Sequence, residues 1–514
     1  MYDGRTNYIG GQWCAASNGA TFPSLNPADT EQMIGIFARS GAEDVRRAVE
    51  AAEQAYPQWS RVPKPARAAL LLRMGRLLEQ NKEGLARLMV LEMGKVLEEA
   101  RGDVQEAIDM AYYMAGFGRM PDGYVVPSER PDIYCAARRV PVGVVGVITP
   151  WNFPIAIPSW KIFPALLAGN TVVFKPSEET PGLACRFVEL LIEAGLPDGV
   201  LNLVTGYGSE AGMALVEAKG VRVISFTGST AVGKQIASRC GEQMKRVSCE
   251  LGGKNAILVL EDADLELGCK GAVWGAFATS GQRCTAASRI LVQRSIKPRF
   301  LQAFLEHVAR LRVGSGLDPN VEVGPVINRH QLERIHEYVQ IGKAEGAEVV
   351  MGGTVLTEGA YAKGCYYAPT VLDRVTPKMR IAQEEIFGPV TAIMEVDDLA
   401  DALTTANATA YGLSLSVYTG DVRKAFRAIE QLEAGLVYVN LPTSGAEIQL
   451  PFGGVKQTGN GSREAGWVAM DYCTEWKSVY INYSEAGELV RAQIDTPVLS
   501  DGDSLSGGGE GRRP

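Results

Sequence analysis

Val142-Gly143-Val144-Val145-Gly146-Val147-Ile148-Thr149-Pro150-Trp151-Asn152-Phe153-Pro154 is the stretch that decides the fold. Its first seven residues are β-branched or glycine, and Thr-Pro-Trp-Asn-Phe-Pro closes them, so it reads as a strand running into a Pro-punctuated turn. The texture repeats downstream. After a helical stretch come Asn170-Thr171-Val172-Val173-Phe174, closed by Lys175-Pro176, a helix over 181–194, and Val200-Leu201-Asn202-Leu203-Val204. Another helix and the strand Val221-Arg222-Val223-Ile224-Ser225-Phe226 follow. Apolar strands alternating with helices imply a parallel sheet covered on both faces, the α/β class. The alternation resumes after Gly252, with strands expected at 256–260, 289–292, 349–351, 390–396, 413–418 and 436–440, which reads as a second α/β domain.

Upstream, Ser40 followed three residues later by Glu43 reads as a capping box, and Val45, Ala48, Val49, Ala52 and Tyr56 then recur at helical spacing. A second helical region spans 65–95 and is expected to break near Gln80-Asn81-Lys82. A final strand is expected over 472–483. Residues 500–514 are rich in Gly, Ser and charge and are expected to be disordered.

A chain of 514 residues with 46% hydrophobic residues splits into two or three domains and buries sizeable cores. The net charge of −8 with no basic run argues against nucleic-acid or anionic-membrane partners and favours a small-molecule ligand. The nine cysteines are scattered without CxxC spacing, which fits neither a disulfide framework nor a zinc site and suits a reducing cytoplasm. The N-terminus lacks an apolar leader, and no apolar run approaches the roughly 18 residues that span a bilayer. Neither secretion, membrane insertion nor a bound metal is expected.

Cys284, in Gly281-Gln282-Arg283-Cys284, reads as a nucleophile or as an inert buried thiol, which the other eight cysteines are by default. The Arg283 guanidinium beside it is expected to stabilise a thiolate. Only His307, His330 and His336 exist, all in one charged stretch, so the base is expected to be a carboxylate. Glu250 precedes Leu251-Gly252-Gly253 at a strand end, either projecting into a cleft to activate water or lying on the surface. The Asn152 amide suits an oxyanion donor, or simply a turn. Thr227-Gly228-Ser229-Thr230-Ala231-Val232-Gly233-Lys234 follows a strand, where glycines let backbone N–H groups approach a pyrophosphate or merely relieve crowding. In Lys175-Pro176-Ser177-Glu178 the carboxylate suits ribose hydroxyls and would repel a 2'-phosphate, favouring NAD over NADP. The alternative there is a solvated turn capped by Ser177.

Taken together, Thr149-Pro150-Trp151-Asn152-Phe153-Pro154, Phe226-Thr227-Gly228-Ser229-Thr230, Glu250-Leu251-Gly252-Gly253-Lys254, Gly281-Gln282-Arg283-Cys284, Glu384-Glu385-Ile386-Phe387-Gly388-Pro389 and Pro451-Phe452-Gly453-Gly454-Val455-Lys456 resemble the NAD(P)-dependent aldehyde dehydrogenase superfamily, in family order over about residues 7–484. The resemblance implies a Rossmann-like NAD-binding domain (1–122 and 141–251), a catalytic α/β domain (252–449), a small β oligomerisation arm (123–140 and 468–486) and a tail (487–514). It also implies a cytoplasmic homo-oligomer, a dimer or a tetramer. In the implied chemistry Cys284 attacks the aldehyde, Asn152 and the Cys284 N–H hold the oxyanion, hydride passes to nicotinamide and Glu250 activates the water that hydrolyses the thioester. Lys161 matches a family lysine near the site. Ile148, Thr149, Pro150, Trp151, Lys175, Ser177, Glu178, Gly208, Phe226, Gly228, Ser229, Val232, Leu251, Gly252, Glu385 and Phe387 are implied to bind NAD. CoA-acylating relatives commonly lack the glutamate at 250, so release of the free acid is expected.

Leu97-Glu98-Glu99-Ala100 through Asp103-Val104-Gln105-Glu106 and Pro442-Thr443-Ser444-Gly445-Ala446-Glu447 resemble the antiquitin-like branch, which oxidises α-aminoadipic semialdehyde. That resemblance gives Glu106 and Arg283 the amino-acid end of a carboxylate-bearing semialdehyde. It also makes Ser444, Gly445 and Ala446 a carboxylate loop, with Phe153, Trp160 and Phe452 around the substrate. Ile448-Gln449-Leu450 and Thr149-Pro150-Trp151 are closer to the general superfamily, where broad aldehyde specificity is the alternative.

Overall fold

The computed structural model describes residues 2–485, 489 and 491–494. The expected disorder of 500–514 lies outside them. Of the described residues, 2–119 and 141–473 form one unit, and 120–140 with those from 474 onward form another.

The first unit holds two seven-stranded sheets. In one, Arg246–Glu250, Val221–Thr227, Val144–Ile148, Thr171–Lys175 and Leu201–Leu203 lie side by side in parallel, and the antiparallel pair Asn7–Ile9 and Gln12–Cys14 extends the edge. Val144–Ile148 and Thr171–Lys175 are buried throughout, which is why their sequences run apolar without alternation. In the other sheet Thr370–Asp373, Val390–Val396, Arg289–Gln293, Ala256–Val259, Ser414–Tyr418 and Leu436–Val439 are parallel, and Glu348–Met351 adds an antiparallel edge.

Register decides what meets at the carboxyl edge of the first sheet. Glu250 pairs with Thr227, Phe226 with Ile148, and Ile148 with Lys175, so four strand ends deliver chemistry to one line. Ligands in open α/β sheets bind outside this edge. Helix Ala156–Ala168 follows the Asn152 turn and ends at Gly169, whose φ of 99° is the left-handed cap that returns the chain to the next strand.

Helix Ala42–Trp59 starts one residue later than its capping signature suggests. Gly41 is the N-cap and Asp44 accepts from its N–H, whereas the Ser40 hydroxyl is taken up by Asn7 at 3.0 Å. The expected break falls at Asn81, between helices Lys64–Gln80 and Lys82–Met93. No helix among the described residues is long and apolar enough to cross a membrane. The second unit is a three-stranded sheet ordered Thr474–Asn482, Ile133–Pro141, Gly123–Val126.

Candidate active site

The Cys284 loop is built on left-handed backbone. Helix Leu265–Phe277 stops, and Thr279, Ser280 and Gly281 take φ values of 52°, 56° and 67° in succession. Such a turn is uphill for L-residues. At Gly281 the chain has no alternative to glycine, because a Cβ would lie 2.0 Å from the Gly388 carbonyl oxygen. The turn reverses the chain so that Cys284 faces a cavity of about 310 Å3. After the turn, Asn152 donates to the Gln282 carbonyl at 3.1 Å and Asn255 donates to the Cys284 carbonyl at 2.6 Å.

The cavity brings together Cys284, Glu250 and all eight residues expected at the substrate: Glu106, Phe153, Trp160, Arg283, Ser444, Gly445, Ala446 and Phe452. No histidine lines it. His307 faces Glu266 at 3.2 Å, and His336 contacts the Tyr367 hydroxyl.

Arg283 does not serve the thiolate as its position in sequence suggests. Its Nε donates to Thr279 Oγ1 at 2.8 Å, and its guanidinium lies 5.2 Å from the Trp274 ring centre and 5.7 Å from that of Phe153. Burial instead pushes the Cys284 thiol up to about 12, helped by Glu385 and Glu250, so the resting residue is a thiol.

Glu250 is 2% exposed, and no side chain hydrogen-bonds either carboxylate oxygen, while the Gly454 N–H favours its ionised form. Burial raises its pKa well above the ordinary range, and the neighbouring Glu464 adds to the rise against the opposing Lys161 and Arg463. Lys161, fully buried, is ion-paired with Glu464 and donates to Ser225 Oγ at 3.0 Å. Glu464, which also lines the cavity, has no signal in its own sequence neighbourhood. An antiparallel bridge to Phe452 carries it in, so its one clue is the Pro-Phe-Gly-Gly segment across from it. Trp274, Glu99 and Asp103 likewise line the cavity unannounced.

The residues expected at the cofactor lie along the carboxyl edge. Ile148 ends its strand, and the Thr149 N–H bonds the Lys175 carbonyl at 3.3 Å. Pro150 leads to Trp151, which meets Phe387 edge-on at 5.5 Å. Lys175 Nζ donates to Glu178 at 2.9 Å, Ser177 Oγ accepts from the Glu179 N–H, and Gly208 opens the neighbouring turn, where a Cβ would come 3.9 Å from Lys175 Nζ. Beyond Phe226, Ser229 caps helix Thr230–Glu242 by accepting from Val232, and the Gly228 N–H bonds the Glu250 carbonyl. Leu251 and Gly252 follow, and Glu385 accepts from the Gly253 N–H at 3.0 Å. A helix N-terminus at the carboxyl edge, a lysine–glutamate pair beside it and the buried, unpartnered Thr227 Oγ1 fit a dinucleotide: anion-binding donors at one end and carboxylates for ribose hydroxyls at the other.

Comparison with known proteins agrees with this chemistry. Residues 13–479 match the family model described as the aldehyde dehydrogenase family. The chain is 42% identical over 475 residues to the α-ketoglutaric semialdehyde dehydrogenase of Bacillus subtilis, covering 92% of this chain and 97% of that one. It is 41% identical over 484 residues to the α-ketoglutarate semialdehyde dehydrogenase of Haloferax volcanii, covering 94% and 100%. Among solved structures, betaine aldehyde dehydrogenase from Staphylococcus aureus in complex with NAD+ superimposes with a TM-score of 0.91 at 36% identity, covering 97% of each chain. With a cysteine and an unpaired glutamate facing one cavity at the edge of a parallel sheet, and a match running nearly end to end, the chain belongs to the aldehyde dehydrogenase family.

Proposed function

We propose that this aldehyde dehydrogenase oxidises a short semialdehyde bearing a carboxylate, such as 2,5-dioxopentanoate, to the dicarboxylic acid with NAD as hydride acceptor. The observation that carries the proposal is the donor set around the Cys284 cavity. Arg283 supplies a cation, and Trp160 Nε1 and Ser444 Oγ are buried donors without a partner. Unpaired buried donors are costly unless a ligand satisfies them. The relatives named for α-ketoglutaric semialdehyde support the same class.

One carboxyl of the lining, Glu106, is set so as not to oppose an anion. Burial, reinforced by Asp103, pushes Glu106 up to about 8, so at pH 7 it is mainly a neutral acid that can donate a hydrogen bond. Above pH 8 it becomes a carboxylate and turns toward substrates with an ammonium group, which is the specific observation favouring α-aminoadipic semialdehyde as the second reading.

In the proposed reaction the Cys284 sulfur bonds the aldehyde carbon while its proton moves to Glu250. The oxyanion lies between the Asn152 amide and the Cys284 N–H. Lys175 and Glu178 would hold one ribose of NAD, and Glu385 and Phe387 its nicotinamide end, where the cofactor would supply the hydride acceptor. The thioester left on Cys284 is hydrolysed by water that Glu250 deprotonates, and the thiol is restored with release of the acid.

A screen of NADH formation with 2,5-dioxopentanoate, glutaric, succinic and aminoadipic semialdehydes and hexanal, using NAD and NADP with and without CoA, tests this reading. Higher kcat/KM for the carboxylated aldehydes, with free acid as product, is expected. Equal kcat/KM for hexanal would overturn the substrate class, and acyl-CoA as product would overturn the hydrolytic step.

A further inference from the structure

The left-handed turn ahead of Cys284 is held from outside its own loop. Glu99, in the first turn of helix Leu97–Gly116, accepts from the Thr279 N–H at 3.0 Å through one oxygen and from Thr279 Oγ1 at 2.6 Å through the other. Arg283 Nε donates to the same Thr279 hydroxyl at 2.8 Å, and its Nη2 lies 3.7 Å from Glu99. Thr279 is β-branched and has a φ of 52°, a conformation that such residues adopt only when their surroundings dictate it. One turn further along the same helix, Asp103 accepts from the Ala156 N–H at 2.8 Å, at the start of the helix that follows the Asn152 turn, while its other oxygen pairs with buried Lys95. Residues four apart share a helix face. Two carboxylates on one face therefore grip the segments that follow Asn152 and precede Cys284.

We propose that Glu99 is a positioning residue of the nucleophile: by fastening Thr279 in its left-handed conformation it sets where Cys284 stands relative to Asn152, with Asp103 as the matching anchor on the Asn152 side. The proposal rests on Cys284 being the nucleophile. Glu99 also lines the cavity, so a direct substrate contact is the competing account. The two differ in what a change at Thr279 does. Asparagine or glycine adopts the left-handed conformation without a clamp; neither would replace a substrate contact made by Glu99.

The experiment compares full-length Glu99→Ala, Glu99→Gln, and the doubles Glu99→Ala/Thr279→Asn and Glu99→Ala/Thr279→Gly, with Cys284→Ala alongside. Readouts are kcat, KM for a carboxylated and an uncharged aldehyde, the iodoacetamide alkylation rate at Cys284 by mass spectrometry, and NAD binding as the folding control. Glu99→Ala is expected to lower kcat by about 10²-fold, the scale of a nucleophile misplaced by roughly 1 Å, for both aldehydes and with NAD binding retained. Glu99→Gln, which still offers an oxygen and an N–H to Thr279, is expected to lose less than a tenth as much. At least one double variant is expected to recover most of the loss. Should neither double recover any kcat, or should Glu99→Ala change KM only for the carboxylated aldehyde, the positioning role is overturned. If Glu99→Ala fails to bind NAD, the doubles decide alone, because relief of strain must restore binding and kcat together. Residual turnover in Cys284→Ala would instead overturn the reading of the nucleophile itself.

Discussion

Lys161→Met removes a cation that faces two buried carboxylates, and its cost follows from linkage. In the intact protein Lys161 pairs with Glu464 and opposes the rise in the pKa of Glu250. Without it, Glu464 stays buried among apolar atoms and folds in its protonated form. Burial already raises the Glu464 pKa above its ordinary 4.5, and Lys161 is the group that holds it down. A carboxyl whose folded pKa is raised favours folding at low pH, and that stability is lost as pH climbs from the unfolded value toward the folded one. While the folded carboxyl stays protonated and the unfolded one ionises, each unit of pH costs about 1.4 kcal/mol. Lys161 ends that loss at a lower pH in the intact protein than in the variant, so the deficit grows between pH 5.5 and pH 7.5, toward the roughly 3–5 kcal/mol for breaking a buried ion pair. Thermal unfolding at those two pH values is the assay. The Lys161→Met deficit is expected to widen with pH, and Lys161→Met/Glu464→Gln is expected to lose the pH dependence. An equal deficit at both pH values, or a double variant that keeps the slope, would refute the reasoning.

Alkylation of Cys284 by iodoacetamide in the cofactor-free enzyme is expected to accelerate about tenfold per pH unit from pH 7 to 9, because the thiol lies near 12; a plateau below pH 8 contradicts that. Cys284→Ala is expected to abolish NADH formation and retain NAD binding, measured by fluorescence titration. Glu250→Gln is expected to keep a burst of NADH in stopped flow while steady turnover falls about 10²- to 10⁴-fold, the range for a lost general base; full turnover in either variant counts against the assigned roles. Gly252→Ala would set a Cβ 2.4 Å from Glu385 Oε2 and displace that carboxylate. Losing a charge-assisted bond of about 1.5–3 kcal/mol predicts a rise in KM for NAD of about 10-fold or more, so an unchanged KM sinks the assignment of Glu385.

What could be read from the sequence was chemistry carried by strand ends. Ile148, Lys175, Phe226 and Glu250 close strands, and parallel register brings strand ends to one edge without knowledge of strand order. The order itself was hidden, because burial on both faces removes the alternation that would tell a central strand from its neighbours. Glu464 was hidden for a different reason. It lies in an irregular segment, and only pairing with Phe452 turns it inward. The stretch around Leu97–Glu106 drew notice for Glu106, yet Glu99 and Asp103 make the contacts to the catalytic loops, and those contacts reach across 180 and 53 residues of chain. Local spacing has no access to such partners. Arg283 was expected beside a thiolate, but adjacency in sequence says nothing of direction: a left-handed turn aims its guanidinium at Thr279, Trp274 and Phe153.

In the proposed reaction, the raised pKa values of Cys284 and Glu250 together constrain how it starts. A thiol held near 12 cannot rest as a thiolate at neutral pH, and a buried glutamate raised well above 4.5 is a stronger base than a solvated one. Free proton transfer between them would leave a buried thiolate whose charge is opposed by backbone N–H groups of Thr285 and Cys284 and raised in energy by Glu385 and Glu250. Attack on the aldehyde moves the charge from sulfur to oxygen, where the Asn152 amide can meet it. Proton removal and carbon–sulfur bond formation are therefore favourable together and unfavourable apart. The same carboxylate, once protonated, must give up its proton before it can activate water. Lys161 and Arg463 oppose the rise in its pKa and so favour that release.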